Sequence, residues 1–240
     1  MNLEIIAHRG FSAIAPENTL AAFELAIAYG THSIEFDLQL SADGVPVVFH
    51  DASLERITGT ADPVRETTLQ DLQKLDAGVW FSDRFTGEKI PTLKEALGIL
   101  KQVPKFLYFD VKPHCQWSDA QIEDLVKTLQ SEKVLEKCVI TSFNPQFLDR
   151  VRQVSQELAI GHIVANEEAY LNQLGKAVAE GDHLISSQYQ LLLNHPLLID
   201  KSRSQGVDVV AWTVDSREDL QKLIDVGVMR IVTNSLLSEG

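Results

Sequence analysis

Cysteine, basic residues and long apolar runs are all scarce in this chain, and each shortage excludes something. Only two cysteines, Cys115 and Cys138, occur in 240 residues. Their separation fits neither a metal-ligand set nor a disulfide framework, so they read as ordinary thiols of a reducing compartment. Lys and Arg number 21 against 34 Asp and Glu, a formal charge of 21 − 34 = −13. That balance argues against a general nucleic-acid or membrane-surface binder, since both rely on basic patches. It does not exclude a small anionic substrate, because a metal and one or two local cations can set the field inside a cleft. No apolar run approaches membrane-spanning length. The start, M-N-L-E-I-I-A-H-R-G, lacks the basic n-region and long apolar core of a signal peptide, so a cytoplasmic location is expected. No repeat, low-complexity tract or linker divides the chain. One domain over residues 1–240 is the expectation, with 45% hydrophobic residues to fill its core.

What is present is a regular alternation of strand-like and helix-like segments. Strands are expected at Leu3–Ala7, Ile34–Leu40, Phe106–Val111, Cys138–Ser142, Ala159–Ile163, His183–Ser186, Val207–Val214 and Met229–Thr233. Helices are expected from Pro16-Glu17-Asn18-Thr19 to Gly30, from Pro91-Thr92 through Leu100, and over Ser118–Ser131, Pro145–Gln156, Asn166–Ala179, Pro196–Gln205 and Asp215–Val226. Eight such alternations in this length favour a TIM (β/α)8 barrel over an open doubly wound sheet. The segment Ala52–Ile90 is long for a βα connection but keeps aromatic and aliphatic anchors. It reads as a small insertion after the second strand, with a short helix around Leu69–Leu75.

The chemistry centres on Ser33–Asp51, S-I-E-F-D-L-Q-L-S-A-D-G-V-P-V-V-F-H-D. Ile34, Phe36, Leu38 and Leu40 alternate with Glu35, Asp37 and Gln39, the period-two pattern of a strand with one apolar face. Asp43-Gly44 signals a tight turn. With that dipeptide central, partner numbers sum to 87, so Asp37 faces His50, Leu38 faces Phe49 and Leu40 faces Val47. Opposed residues have Cβ atoms roughly 5 Å apart, so Glu35, Asp37 and His50 should form one polar cluster.

In a barrel the active site lies at the C-terminal ends of the strands. Those ends supply His8 and Arg9, then Glu35 and Asp37 with His50 through the hairpin, then Asp110 and Lys112. Ser142, Phe143, Trp212, Thr233 and Asn234 follow from later strands. Three carboxylates from adjacent strands make an all-oxygen site suited to a hard cation, Mg²⁺ or Ca²⁺. Two histidines beside it suit acid/base work near neutral pH. Arg9 offers a planar fork for phosphate and Lys112 a point charge. Any one of these has a bland reading: a lone His as a structural hydrogen-bonding group, Asp110 with Lys112 as a plain ion pair, Trp212 as core. Their concentration on one rim decides for chemistry. His32, His114, His162, His183 and His195 lack such company and read as structural or surface residues.

The motifs H-R-G at 8–10, P-E-N-T at 16–19, I-E-F-D at 34–37, D-G-V-P-V-V-F-H-D at 43–51 and W-F at 80–81 resemble the glycerophosphodiester phosphodiesterases. So do P-T-L-K-E-A-L at 91–97, A-W-T-V-D at 211–215 and the T-N near the end, in collinear order over essentially the whole chain. The resemblance implies a TIM barrel with an insertion after the second strand, and a divalent-metal enzyme cleaving glycerophosphodiesters to sn-glycerol 3-phosphate and an alcohol. It makes His8 and His50 the catalytic pair, Glu35 and Asp37 metal ligands, and Arg9 and Lys112 phosphate contacts. Trp212 is expected to touch substrate. Two departures stand out. The third ligand is Asp110 in D-V-K where the family has Glu in E-x-K, and Thr233-Asn234 stands where Thr-Asp is more frequent.

The mechanism expected is metal-assisted phosphodiester cleavage, with His8 as base and His50 as acid and either water or a glycerol hydroxyl as nucleophile. A lysophospholipase D-type diesterase is the nearest alternative, though the charge of −13 offers no basic patch for a bilayer. A metal-dependent lyase on the same barrel and a non-catalytic binder rank lower. The expected partner is a small glycerophosphodiester, with no nucleic acid and no integral membrane segment; a homodimer stays open.

Overall fold

A computed structural model describes residues 3–237. Its strands are β1 (Glu4–His8), β2 (Ser33–Leu40), β3 (Pro46–Val48), β4 (Leu107–Val111), β5 (Cys138–Ser142), β6 (Ala159–Val164), β7 (Leu184–Gln188), β8 (Asp208–Trp212) and β9 (Arg230–Thr233). β1 pairs in parallel with both β2 and β9, and β2 continues through β4 and onward in chain order to β9. Eight parallel strands therefore close into a TIM barrel, and β3 is an antiparallel hairpin arm on β2.

The helices on the outside are α1 (Leu20–Ala28), α2 (Glu55–Thr58), α3 (Leu69–Leu72), α4 (Leu93–Leu100), α5 (Asp119–Ser131), α6 (Pro145–Val154), α7 (Glu167–Glu180), α8 (Tyr189–Asn194), α9 (Leu197–Ser204) and α10 (Arg217–Asp225). Their starts follow capping chemistry. Thr92 with Glu95 and Ser118 with Gln121 make reciprocal capping boxes, and Asn144 caps a helix that opens on Pro145. The short α8 interrupts the expected stretch between β7 and the helix beginning near Pro196, and no periodic apolar pattern announced it. Among the described residues no helix is long and apolar enough to cross a membrane.

Apolar strand residues pack outward against this ring. Phe36 is fully buried, with its ring 5.8 Å from Phe23 of α1 and 4.5 Å from Phe109 of β4; burying such a side chain contributes roughly 2–3 kcal/mol. Because Ile34, Phe36, Leu38 and Leu40 belong to that outer core, strand parity turns Glu35, Asp37 and Gln39 toward the barrel interior and its mouth. The floor beneath is apolar, built from Ile6, Tyr108, Val139, Leu184, Val210 and Val232. The insertion packs against the β3 arm in a small separate core, Val47, Phe49, Leu54, Ile57, Val64, Leu72, Ala77 and Ile90. Both cysteines are buried and free, and burial pushes the Cys138 thiol up to about 12.

The hairpin register differs from the sequence reading by one residue. Leu38 pairs with Val48, Gln39 with Val47 and Leu40 with Pro46, so partner numbers sum to 86, not 87. The cause is a three-residue loop. Ser41 and Val45 close the ladder at 3.0 Å, the Gly44 amide donates back to the Ser41 carbonyl, and Gly44 has φ +78°. That is a turn followed by a left-handed glycine, which takes one more residue than the two-residue turn assumed from Asp43-Gly44. Asp37 consequently faces Phe49, whose amide donates to the Asp37 carbonyl at 3.1 Å.

Candidate active site

His50 reaches the barrel mouth by leaving the ladder, not by pairing across it. The backbone is irregular at residues 49–50, and the inward Gln39 side chain holds the bend by donating to the carbonyls of Phe49 (2.7 Å) and Asp51 (2.8 Å). His50 Nδ1 lies 2.6 Å from Asp51 Oδ1, and Asp51 Oδ2 accepts from Arg56 Nε at 2.6 Å. Burial would raise the Asp51 carboxyl, but Arg56 and His50 hold it below the usual range.

At the end of β1 the chain turns sharply. Arg9 has φ +56° and Gly10 φ +82°, and the Arg9 amide donates to the Glu35 carbonyl (2.8 Å) and to Glu35 Oε2 (3.2 Å). A Cβ at Gly10 would lie 2.6 Å from the Ala22 carbonyl carbon, so the H-R-G glycine answers both to its dihedral and to the packing of α1. His8 ends the strand, with Nδ1 2.7 Å from Asn234 Oδ1. Asn234 is oriented in turn by Asp215, whose Oδ2 accepts from Asn234 Nδ2 at 2.6 Å and whose Oδ1 accepts from its backbone amide at 2.7 Å. A carboxylate only accepts, so Nδ2 faces Asp215 and Oδ1 faces His8. His8 therefore carries its proton on Nδ1 and presents the Nε2 lone pair to the site, 3.8 Å from Glu35 Oε2. Burial and then Arg9 lower His8 to about 4, so the ring is neutral at neutral pH.

Glu35, Asp37 and Asp110 offer ligand atoms all within 4.8 Å of one another, and all three are buried. Asp110 thus reaches the cluster despite a side chain one methylene shorter than Glu. Lys112 Nζ bridges Asp37 Oδ1 (2.5 Å) and Asp110 Oδ2 (2.6 Å). Asp37 Oδ2 accepts from Asn18 Nδ2 at 2.7 Å and lies 3.2 Å from Arg9 Nε. Burial opposes ionisation of Asp37, yet Lys112 and Arg9 keep it well below the ordinary carboxylate range. Glu35 goes the other way: burial, then the charges of Asp37 and Asp110, push it well above its ordinary value. Asp110 is raised as well, by burial against the pull of Lys112, and its Oδ1 is buried without a hydrogen-bond partner among the described residues. Repelling carboxylates with an orphaned oxygen fit a bound divalent cation, which would relieve both.

Among the described residues, the opposite wall of the cavity, of about 170 Å³, carries no charge. Thr141, Ile163, Ser186 and Val210 line it, and the rings of Phe143 and Trp212 meet edge to face at 6.0 Å over its mouth. His8, Arg9, Glu35, His50, Asp110, Lys112 and Trp212 all line this cavity, and Asp37 sits behind them, 1% exposed. The sequence reading did not anticipate Asn18, Glu17 or Arg56 at the site. P-E-N-T opens a helix and belongs to the family pattern, but neither gives its residues a place at the site; Asn18 adopts φ +61° and folds its amide onto Asp37 before Thr19 caps α1.

Fold and site together define a TIM-barrel protein whose strand-end rim joins two imidazoles, a carboxylate cluster and two basic side chains. Residues 8–237 match the Glycerophosphoryl diester phosphodiesterase family. A glycerophosphodiester phosphodiesterase of Caldanaerobacter subterraneus subsp. tengcongensis is 34% identical over 98% of this chain and 95% of its own length. One from Bacillus subtilis is 31% identical over 95% of this chain and 82% of its own. A solved phosphodiesterase from Oleispira antarctica, in complex with the product sn-glycerol-3-phosphate, superposes with a TM-score of 0.88 at 30% identity, covering 97% and 93% of the two chains. The chain belongs to the glycerophosphoryl diester phosphodiesterase family and is an enzyme of that class.

Proposed function

We propose that the protein hydrolyses soluble glycerophosphodiesters to sn-glycerol 3-phosphate and an alcohol, with a divalent cation, Mg²⁺ or Ca²⁺, at Glu35, Asp37 and Asp110. The observation that carries this reading is the buried carboxylate cluster with its unpartnered Asp110 oxygen, flanked by His8 and His50. When bound, such a cation polarises a phosphoryl oxygen and lowers the cost of charge building up there. Arg9 and Lys112 add fixed positive charge beside the same group, where transition-state charge develops. His8, neutral and with a free Nε2, takes the proton of the attacking water. His50 delivers a proton to the alcohol oxygen as the P–O bond breaks, and Asp51 holds its ring through Nδ1. Trp212 and Phe143 cover the organic part of the substrate against the uncharged wall. Residues 1–240 act as one catalytic domain with 52–90 as its insertion.

The test is release of glycerol 3-phosphate from glycerophosphocholine, read through a coupled dehydrogenase, after EDTA and after Mg²⁺ or Ca²⁺ is restored. Activity should require the metal and disappear in His50→Ala and Glu35→Ala. A wild-type protein inactive on several head groups with either metal would refute the reading for soluble diesters. Faster turnover of a lysolipid would move the substrate to that class.

A further inference from the structure

One group of contacts at the site is left unexplained by acid/base and phosphate-binding roles. Arg56 lies in the insertion, on the four-residue helix α2, and does not line the cavity. It nevertheless reaches both halves of the catalytic rim. Its Nε holds Asp51 Oδ2 at 2.6 Å, while its two terminal nitrogens hold Glu17 at 2.7 and 3.0 Å. Glu17 Oε1 in turn accepts from Arg9 at 2.7 Å. Trp80, further along the insertion, lies under the Arg56 guanidinium at 5.8 Å.

We infer that Arg56 is a positioning residue for His50, acting through the Asp51 carboxylate. This rests on the proposed role of His50 as general acid. Among the described residues Asp51 is the hydrogen-bond partner of His50, whose ring is 35% exposed and stands outside the β2–β3 ladder. An imidazole so placed can rotate unless the carboxylate behind it is fixed. A planar guanidinium donating to two carboxylates from separate segments fixes that carboxylate in direction as well as distance, which an ammonium cannot do. As an ion pair Arg56 would matter little, because it is itself 43% exposed. Its value lies in orientation: the Nδ1–H of His50 stays on Asp51, and Nε2 stays aimed at the leaving oxygen. The insertion thereby becomes part of the catalytic device, since Ile57 beside Arg56 packs in the small core that the insertion forms with the β3 arm.

Leaving-group dependence separates this role from a merely structural one. Choline leaves as a strongly basic alkoxide and needs the acid, whereas p-nitrophenolate leaves without a proton. kcat is measured for glycerophosphocholine and for the p-nitrophenyl ester of glycerol 3-phosphate with wild type, Arg56→Met, Arg56→Lys, Asp51→Asn and His50→Ala. Arg56→Met should lose about 30-fold or more on the choline ester and less than about threefold on the nitrophenyl ester. Arg56→Lys should fall between wild type and Arg56→Met, and the Arg56→Met/Asp51→Asn double variant should be no worse than Asp51→Asn alone. Equal losses on both esters, or none on either, would overturn the inference, as would additive effects in the double variant. Arg56→Lys and Asp51→Asn keep the test open if Arg56→Met does not fold. His50→Ala separates the two levels. If it loses equally on both esters, the acid assignment has failed. If it discriminates and the Arg56 variants do not, only the positioning role has failed.

Discussion

Replacing Asn234 by Asp would set two carboxylates against each other behind His8. Asn234 Nδ2 now donates to Asp215 Oδ2 at 2.6 Å. A second negative charge at that distance costs about 1.6 kcal/mol in water and about 6 kcal/mol at an effective dielectric of roughly 20. Asp215 is exposed, so the lower figure is the better guide, and a charge-assisted hydrogen bond worth roughly 1.5–3 kcal/mol disappears as well. Asn234→Asp should therefore destabilise by about 2–4 kcal/mol, or roughly 4–16 °C in Tm for a chain of this size. The reciprocal pair Asp215→Asn/Asn234→Asp should recover most of that loss. The amide at 215 would donate to the new carboxylate, and its oxygen would still accept from the backbone amide of residue 234 and from Thr233 Oγ1, which now lies 3.1 Å from Asp215 Oδ1. Asp215→Asn alone removes the group that orients Asn234. It should cost less stability than Asn234→Asp but lower kcat at least tenfold, because His8 loses the constraint that keeps its proton on Nδ1. Urea unfolding of all four proteins gives a double-mutant cycle, with an expected coupling of about 2 kcal/mol or more. An Asn234→Asp protein as stable as wild type, or a double variant no better than the sum of the singles, would refute this account of the His8 support.

Gly10→Ala should destabilise by about 2–5 kcal/mol, since the new Cβ meets the Ala22 carbonyl at 2.6–2.7 Å and the residue sits at φ +82°. Chemical denaturation checks this, and a stability loss below about 1 kcal/mol would contradict the packing described. Glu35→Gln removes a buried carboxylate that burial and two like charges push well above its ordinary value. In EDTA the variant should be as stable as wild type or more so, yet it should lose the thermal shift that saturating Mg²⁺ or Ca²⁺ gives wild type. That shift corresponds to about 2.7 kcal/mol at a hundredfold excess over Kd, and differential scanning fluorimetry with and without EDTA reads it. A wild-type Tm unmoved by both cations would reject the cation site.

Much of this architecture was legible in residue order because strands and helices announce themselves through local periodicity. The apolar alternation of Ile34–Leu40 and the capping pairs Thr92/Glu95 and Ser118/Gln121 need only neighbours in the chain. The β2–β3 register was harder, because one left-handed residue, Gly44, decides whether the loop takes two residues or three. The short helix α8 was invisible for the same reason that Asn18 was: six residues, or a single turn, carry too little pattern to compete with context.

The barrel and the candidates for its chemistry follow from residue order, because alternation of strand and helix forces all strand ends onto one rim, where His8, Glu35, Asp37, Asp110 and Lys112 must meet. Tertiary structure alone decided how those groups are poised. The proton on His8 is placed by Asn234, 226 residues away in the chain, and Asn18 and Lys112 share out the oxygens of Asp37. His50 is held by a carboxylate next to it in sequence, but that carboxylate is steered by Arg56, which Glu17 anchors from 39 residues away. Hydrogen bonds and Coulomb forces act over a few ångströms of space, and that distance is set only when the barrel closes.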